Sequence, residues 1–339
     1  MTDNERVGLT LGKYAPLHQG HQMVIETALA EMDHGIVVIY DCPDVTPIPL
    51  PVRANWIRRL YPQIELYEAW DGPLQVGDTP DIKRMHEKYI RALLGDRRVT
   101  HFYSSEFYGA HMSAALNAVN RQVDAERVQV PISATQIRRQ PYTARHFLHP
   151  LVYRDLIINV AFLGAPSTGK TTLAQTLAAH YRTVWMHEYG RDYWEQHQVE
   201  RRLTLDQLAE LAEGHLAHEE QLLTTANQYL FTDTNVLTTY IFSEYYHGTA
   251  ADRLKQLADQ AATRYDLVFV CDTDIPYEDT WDRSGEANRQ VMQQRILSDL
   301  HMRNIPYRLL RGNVATRVAT VCSILARYHK YQNLLDLFE

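Results

Sequence analysis

The sequence predicts an α/β protein of two domains, and three observations carry that expectation. The first is an apolar run at 157–163 followed at once by Gly164-Ala165-Pro166-Ser167-Thr168-Gly169-Lys170-Thr171, with a helical run at 172–181 behind it. The second is another strand, glycine-containing loop and helix at 7–32. The third is length. A chain of 339 residues makes about two domains of ordinary size, so the stretch before the later motif needs a domain of its own.

Composition sets the class. Hydrophobic content of 45% and charged content of 22% are those of a globular protein, and no run approaches the roughly 18 apolar residues a membrane span needs. The first six residues lack the basic-then-apolar layout of a signal peptide. Cys42, Cys271 and Cys322 are too far apart for a disulfide framework or a Cys-x-x-Cys metal site. A cytoplasmic protein is expected, and a net charge of −7 does not favour a nucleic-acid partner.

Taken in order, 7–11 is an apolar strand candidate running into Gly12-Lys13-Tyr14-Ala15-Pro16-Leu17-His18-Gln19-Gly20-His21, and 22–32 reads as a helix with apolar residues at 23, 24, 25, 28 and 29. His18 and His21 stand three apart at the mouth of that helix, so both rings can face an anion held by its N-terminus. Gly20 leaves room for a nucleotide to approach the backbone. The alternative is that the two histidines only cap or pack the helix start. Next come a buried strand at 35–40, a proline-rich surface loop at 44–51 and a helix at 51–60. Arg53, Trp56 and Arg59 in that helix read by default as an exposed face. A strand at 101–105 leaves Ser104, Ser105 and Glu106 at its C-terminal end, where ligands of open α/β sheets collect. In Ile132-Ser133-Ala134-Thr135-Gln136-Ile137-Arg138, Ser133 and Thr135 precede a helix and either cap it or donate to phosphate. The aromatic stretch 141–155 predicts a packed connection.

The motif Gly164–Thr171 fits G-x-x-x-x-G-K-[ST] without a mismatch, between strand and helix. Its glycines, Gly164 and Gly169, let successive N–H groups face a phosphate chain, with Ser167, Thr168 and Thr172 beside them. Lys170 and Thr171 are left for the phosphates and Mg²⁺ of ATP. A short strand at 184–186 ends in His187, Glu188, Arg191 and Asp192. Glu188 and Asp192 are suited to take a hydroxyl proton, or are ordinary surface charges. A long amphipathic helix follows at 203–227, then a strand at 229–233 ending in Asp233, the layout that places a carboxylate on Mg²⁺. After a buried strand at 266–272, the loop with Tyr277, Trp281 and Arg283, and Arg289 before a helix at 290–302, read as a lid whose arginines reach phosphates and whose aromatics stack on a flat base.

The first motif and Ile132–Arg138 together resemble the two signatures, HxGH and ISxTxxR, of nucleotidyltransferases with a Rossmann-like fold. The resemblance implies adenylyl transfer without a covalent enzyme intermediate. By position His18 and His21 would hold phosphates at the reacting centre, Lys13 and Arg138 would neutralise the β- and γ-phosphates, and Gly12 and Tyr14 would line the nucleotide. Trp56 would lie near the base or nicotinamide, and Ser105 near the second substrate. The whole chain, with Glu188-Tyr189-x-Arg191, Phe231-x-Asp233-Thr234 and the lid, resembles the NadR-type bifunctional proteins, a nicotinamide mononucleotide (NMN) adenylyltransferase at 1–150 fused to a P-loop ribosylnicotinamide kinase at 156–339. That implies nicotinamide riboside, NMN, ATP and NAD as ligands and Mg²⁺ as cofactor, with Arg191, Asp192, Tyr277 and Trp281 around the riboside. A homo-oligomer and a link to a riboside transporter are further expectations. Departures are visible. Only about six residues precede the first strand, so DNA binding through an N-terminal helix-turn-helix is not expected. Tyr277 stands where the family has tryptophan, so either it or Trp281 could stack on nicotinamide, and Ala134 replaces a frequent serine. Two alternatives remain at this level. A bifunctional coenzyme A synthase pairs similar domains, but His18 and Gln136-Ile137-Arg138 oppose it. A nucleotide-sensing regulatory protein, or a kinase with a weak or NAD-sensing first domain, is opposed by the intact Lys13, His18 and His21, and the pure sensor also by Lys170, Thr171 and Asp233.

Overall fold

A computed structural model describes residues 5–106, 108–199, 202–277 and 286–332. Those residues form two compact units, one made of the chain up to Tyr153 together with Tyr331 and Gln332, and one running from Arg154 to Lys330.

The first unit alternates strand and helix: β1 (Val7–Gly12), α1 (Gln19–Glu31), β2 (His34–Tyr40), α2 (Leu50–Leu60), β3 (Glu65–Ala69), α3 (Pro80–Leu94), β4 (His101–Ser104), α4 (Gly109–Ala115), β5 (Val119–Gln122), α5 (Ala134–Arg139) and α6 (Pro150–Arg154), with a 3₁₀ turn at Arg145–Phe147. The sheet order is β3-β2-β1-β4-β5 and every pair is parallel. The inner strands β1 and β2 are covered on both faces, which is why they read as unbroken apolar runs rather than alternating ones. Leu9, Ile36, Val38, Phe102 and Ile90 pack one side, while Val24, Ala28 and Tyr103 pack the other. The order reverses between β1 and β4. The crevice at their C-terminal ends is where a sheet of this kind takes a ligand.

Two expectations are corrected here. The 44–51 stretch is not wholly a surface loop, because Thr46, Ile48 and Leu50 are buried. The charges of α2 are not an exposed face either: Arg53 and Trp56 are both 0% exposed, and Arg59 is solvent-facing. The reason is local. Arg53 satisfies three backbone carbonyls, donating from Nε to Ile48 O at 3.0 Å and from Nη1 to Lys13 O and to Tyr40 O at 2.9 Å, with Nη2 3.3 Å from the Asp41 carboxylate.

The second unit contains β6 (Ile158–Leu163), α7 (Lys170–Tyr181), β7 (Trp185–Met186), α8 (Tyr189–His197), α9 (Leu205–Leu223), β8 (Tyr229–Asp233), α10 (Val236–His247), α11 (Asp252–Ala261), β9 (Leu267–Cys271), α12 (Glu286–Met302), β10 (Arg308–Leu310) and α13 (Val314–Leu325). Its sheet, β10-β9-β6-β8-β7, is also parallel throughout. Phe162 pairs in register with Phe269, and its ring lies 5.7 Å from that of Phe269 and 6.1 Å from that of Phe231, forming the layer under α7 and α13. Helices α9 to α12 cover the opposite face around Leu163, Leu208, Leu237 and Ile296. The long helix expected at 203–227 is shorter at both ends: Thr204 and Gln207 close a capping box at its start, and Thr224 caps its end.

Candidate active sites

The crevice of the first sheet holds a cavity of about 670 Å³. Gly12, Lys13, Tyr14, His18, Gly20 and His21 of the loop after β1 line it, as do Ser105 after β4 and Ser133, Thr135 and Arg138 of α5. Two segments more than a hundred residues apart in sequence therefore meet in one wall. The loop is held from behind by Arg53 on Lys13 O and from the side by Arg138, whose Nη1 donates to Ala15 O at 2.6 Å while Nη2 donates to Thr135 Oγ1 at 3.0 Å.

His18 is the N-cap of α1: its Nδ1 accepts from Gly20 N at 3.1 Å, and His21 Nδ1 accepts from His18 N at 3.4 Å. The two rings stack with centroids 3.8 Å apart. Capping and site-lining are thus one arrangement, not alternatives. Burial, joined by the Arg127 charge, lowers His18 to about 4, and burial with the neighbouring His18 and Arg127 charges holds His21 well below its ordinary value. Both rings are neutral near pH 7, each with one N–H to donate. Gly20 has a local reason as well, since a Cβ there would lie 3.0 Å from the His18 ring. Ser133 caps α5, accepting from Gln136 N at 3.2 Å. Trp56 does not line the cavity; its place is the core, and the expectation of a base-facing ring is not met.

In the second unit the phosphate loop joins β6 to α7. Gly164 has φ +140°, and a Cβ there would meet Cys271 O at 2.6 Å; Gly169 has φ +79° and Ser167 φ +60°. Thr168, fully buried, donates to Ala165 O at 2.8 Å. Lys170 Nζ donates to Gly164 O and Ala165 O, both at 3.0 Å. Thr171 Oγ1 donates to Asp233 Oδ2 at 2.5 Å, and Thr172 is exposed at the start of α7.

Asp233 is 0% exposed, and its Oδ1 has no hydrogen-bond partner. Burial, opposed by Lys170 and reinforced by the Glu188 charge, pushes its carboxyl up to about 6. A buried carboxylate oxygen left over beside a threonine hydroxyl suits a hard cation, so the residues present fit Mg²⁺. Glu188 lies 3.2 Å from Arg191, and Asp192 lies 2.7 Å from His187 Nε2. Arg289 is 2% exposed, donates to Ser167 O and Ile275 O at 3.0 and 2.9 Å, and holds its guanidinium 5.7 Å from the Tyr277 ring. Trp281 and Arg283 lie outside the described residues.

Motif reading missed Arg53, Arg127 and Arg317. Arg317, on α13 and 2% exposed, donates from Nη1 to Thr168 O at 2.6 Å and from Nε to Gly312 O at 2.9 Å, and pairs with Asp274. It fastens the phosphate loop from a helix well over a hundred residues downstream. No local pattern marks such a residue, since Thr168 and Asp274 are brought to it only by folding.

Comparison with known proteins agrees with this division. The Cytidylyltransferase-like family matches residues 9–140 and the AAA domain family matches 159–317. The chain is 27% identical over 334 residues to the trifunctional NAD biosynthesis/regulator protein NadR of Escherichia coli (strain K12), covering 89% of this chain and 78% of that one. Two crystal structures of NadR protein share its fold. One, in complex with NAD and AMP-PNP, has a TM-score of 0.58 over 97% of this chain and 99% of that chain, and the other, in complex with NR, has 0.59 over 97% and 98%, both at 22% identity.

Proposed function

We propose that this chain, a NadR-type protein with a nucleotidyltransferase domain followed by a P-loop kinase-type domain, makes NAD from nicotinamide riboside in two steps. The domain at 156–339 transfers the γ-phosphoryl group of ATP to the 5′-hydroxyl of the riboside. The domain at 1–150 then joins NMN to the AMP portion of a second ATP. The observation that carries the proposal is the first cavity, where both signature segments converge on two stacked, neutral histidines.

In the transferase step an oxygen of the NMN phosphate attacks the α-phosphorus of ATP, the bond from that phosphorus to the bridging β-oxygen breaks, and pyrophosphate leaves. The neutral His18 and His21 donate N–H hydrogen bonds to the phosphates at the reacting centre, while Lys13 and Arg138 neutralise the leaving pyrophosphate. Such catalysis is positioning plus electrostatic stabilisation.

In the kinase step the 5′-oxygen attacks the γ-phosphorus and ADP leaves. Lys170 and the loop N–H groups hold the phosphates, and Arg289 fixes the loop through Ser167 O. Thr171 and Asp233 would hold Mg²⁺, which when bound offsets the phosphate charge. With Asp233 so placed, Glu188, whose charge reaches Asp233, is the base that takes the hydroxyl proton, and Arg191 holds its carboxylate. The test is to incubate the protein with Mg²⁺, ATP and nicotinamide riboside and to follow NMN and NAD by chromatography. Successive appearance of both is expected. NMN alone refutes the transferase half, and no product refutes the kinase half, after which NMN supplied in place of the riboside decides the transferase half.

A further inference from the structure

Arg127 belongs to neither signature, yet it lines the same cavity as Lys13, His18, His21 and Arg138. The loop that presents it is tightly constrained. The Asp124 carboxylate accepts from the N–H groups of Val128, Gln129 and Val130 at 2.8, 3.1 and 2.9 Å, and Arg127 N donates to Asp124 O at 2.8 Å. Asp124 and Arg127 both adopt left-handed backbone, with φ +47° and +52°. For residues with a Cβ that conformation costs about 1–2 kcal/mol each and persists only where surrounding bonds impose it, a pattern concentrated at ligand-binding positions.

The side chain is not committed to the fold. Its Nη2 lies 3.4 Å from Glu106 Oε1, and the two side chains are 41% and 46% exposed. Glu106 lines the cavity too. A long, exposed pair of this kind contributes little stability, so the guanidinium can change partner at small cost. Its charge already reaches the reacting centre, since it helps to lower both His18 and His21. With those rings neutral and Lys83 of the cavity wall paired with Asp78, Lys13 and Arg138 are the signature cations that face a triphosphate of about four negative charges. A planar guanidinium, able to fork onto two phosphate oxygens, is the side chain that supplies the missing charge with fixed geometry.

Resting on the adenylyltransferase reading, we propose that Arg127 is a polyphosphate-binding residue of the first domain, exchanging Glu106 for the β- and γ-phosphates of ATP. The group recognised is the polyphosphate and not the nucleoside, which sets the test. The full chain is assayed for adenylyl transfer with NMN supplied, so that the kinase step is not needed, and inhibition by inorganic tripolyphosphate and by AMP is measured beside KM for ATP. Arg127→Ala is expected to raise KM for ATP and the inhibition constant of tripolyphosphate by about 10- to 100-fold, the loss of one charge-assisted hydrogen-bonding group, with the AMP constant within about twofold of wild type. Arg127→Lys, which keeps the charge and loses the fork, should fall between. Equal weakening of AMP and tripolyphosphate, or no weakening of either, overturns the proposal. If the wild type does not turn over NMN at all, the adenylyltransferase reading falls by itself. Calorimetric titration of tripolyphosphate into the Lys170→Ala chain with and without Arg127→Ala then decides the Arg127 site separately, unequal affinities supporting it and equal ones refuting it.

Discussion

Asp233 shows how a site residue works against its own fold. A carboxyl raised to about 6 stabilises the folded chain below its unfolded value, near 4, and loses that contribution as pH rises through 6. At pH 7 the ionised group, with Oδ1 buried and unsatisfied, weighs against folding. Asp233→Asn is therefore expected to raise the Tm at pH 7 by a few degrees, equivalent to about 1–2 kcal/mol, while abolishing riboside phosphorylation. Calorimetry at pH 7 and pH 5 checks it, because the gain should shrink at pH 5, and a lower Tm at both values would refute it. His18 has the opposite sign. A histidine lowered to about 4 contributes stability that is complete above its unfolded value near 6.5 and lost as pH falls through 4, on the order of 3 kcal/mol over that window. His18→Asn should flatten the acid limb of the stability curve measured by urea unfolding between pH 7 and pH 4. An unchanged acid limb would mean that the ring is not held neutral.

At the scale of elements, both motifs are strand–loop–helix units whose loops are shaped from outside themselves. The phosphate loop depends on Gly164, where β9 passes so closely that a Cβ would strike Cys271 O. Gly248, the C-cap of α10, also has positive φ, +67°, but nothing stands within 4 Å of a Cβ there. Gly248→Ala should cost about 1 kcal/mol of backbone strain alone. Gly164→Ala adds a backbone clash and should cost about 3 kcal/mol or more together with the kinase activity. Denaturant midpoints and initial rates on the two variants test the contrast; equal losses would mean that the β9 contact does not constrain the loop. The element pattern was legible wherever burial was complete. Strands β1, β2, β6, β8 and β9 are largely apolar runs and formed, like β4 with its buried Phe102 and Tyr103, within a residue or two of expectation. Strand β5, Val119–Gln122, is exposed at every position and β3 is half-buried, so neither carries a hydrophobic signal, and β10 has three residues. Edge strands are held by backbone pairing, which composition does not record.

For the whole molecule, two sites in one chain make a prediction about independence. Lys170→Ala should abolish riboside phosphorylation and spare transfer to added NMN, and His21→Ala should do the reverse, each by about 10²-fold or more. A mixture of the two variants should then form NAD from riboside, since NMN released by one protein is substrate for the other. Failure of the mixture, with each half-reaction intact in its own variant, would mean that NMN is not released between steps. By itself the sequence determined the two α/β domains and the two glycine-containing loops that join a strand to a helix, because glycines, the His18 cap and the Gly-Lys-Thr triplet act through local backbone geometry. Only the tertiary structure decided that α2 turns Arg53 and Trp56 inward, that Arg317 fastens the Gly164–Thr171 loop from α13, and that Arg127 lines the same cavity as the histidines. An arginine's partners there are carbonyls and cavity walls brought close by folding, and nothing in the residues beside it announces them.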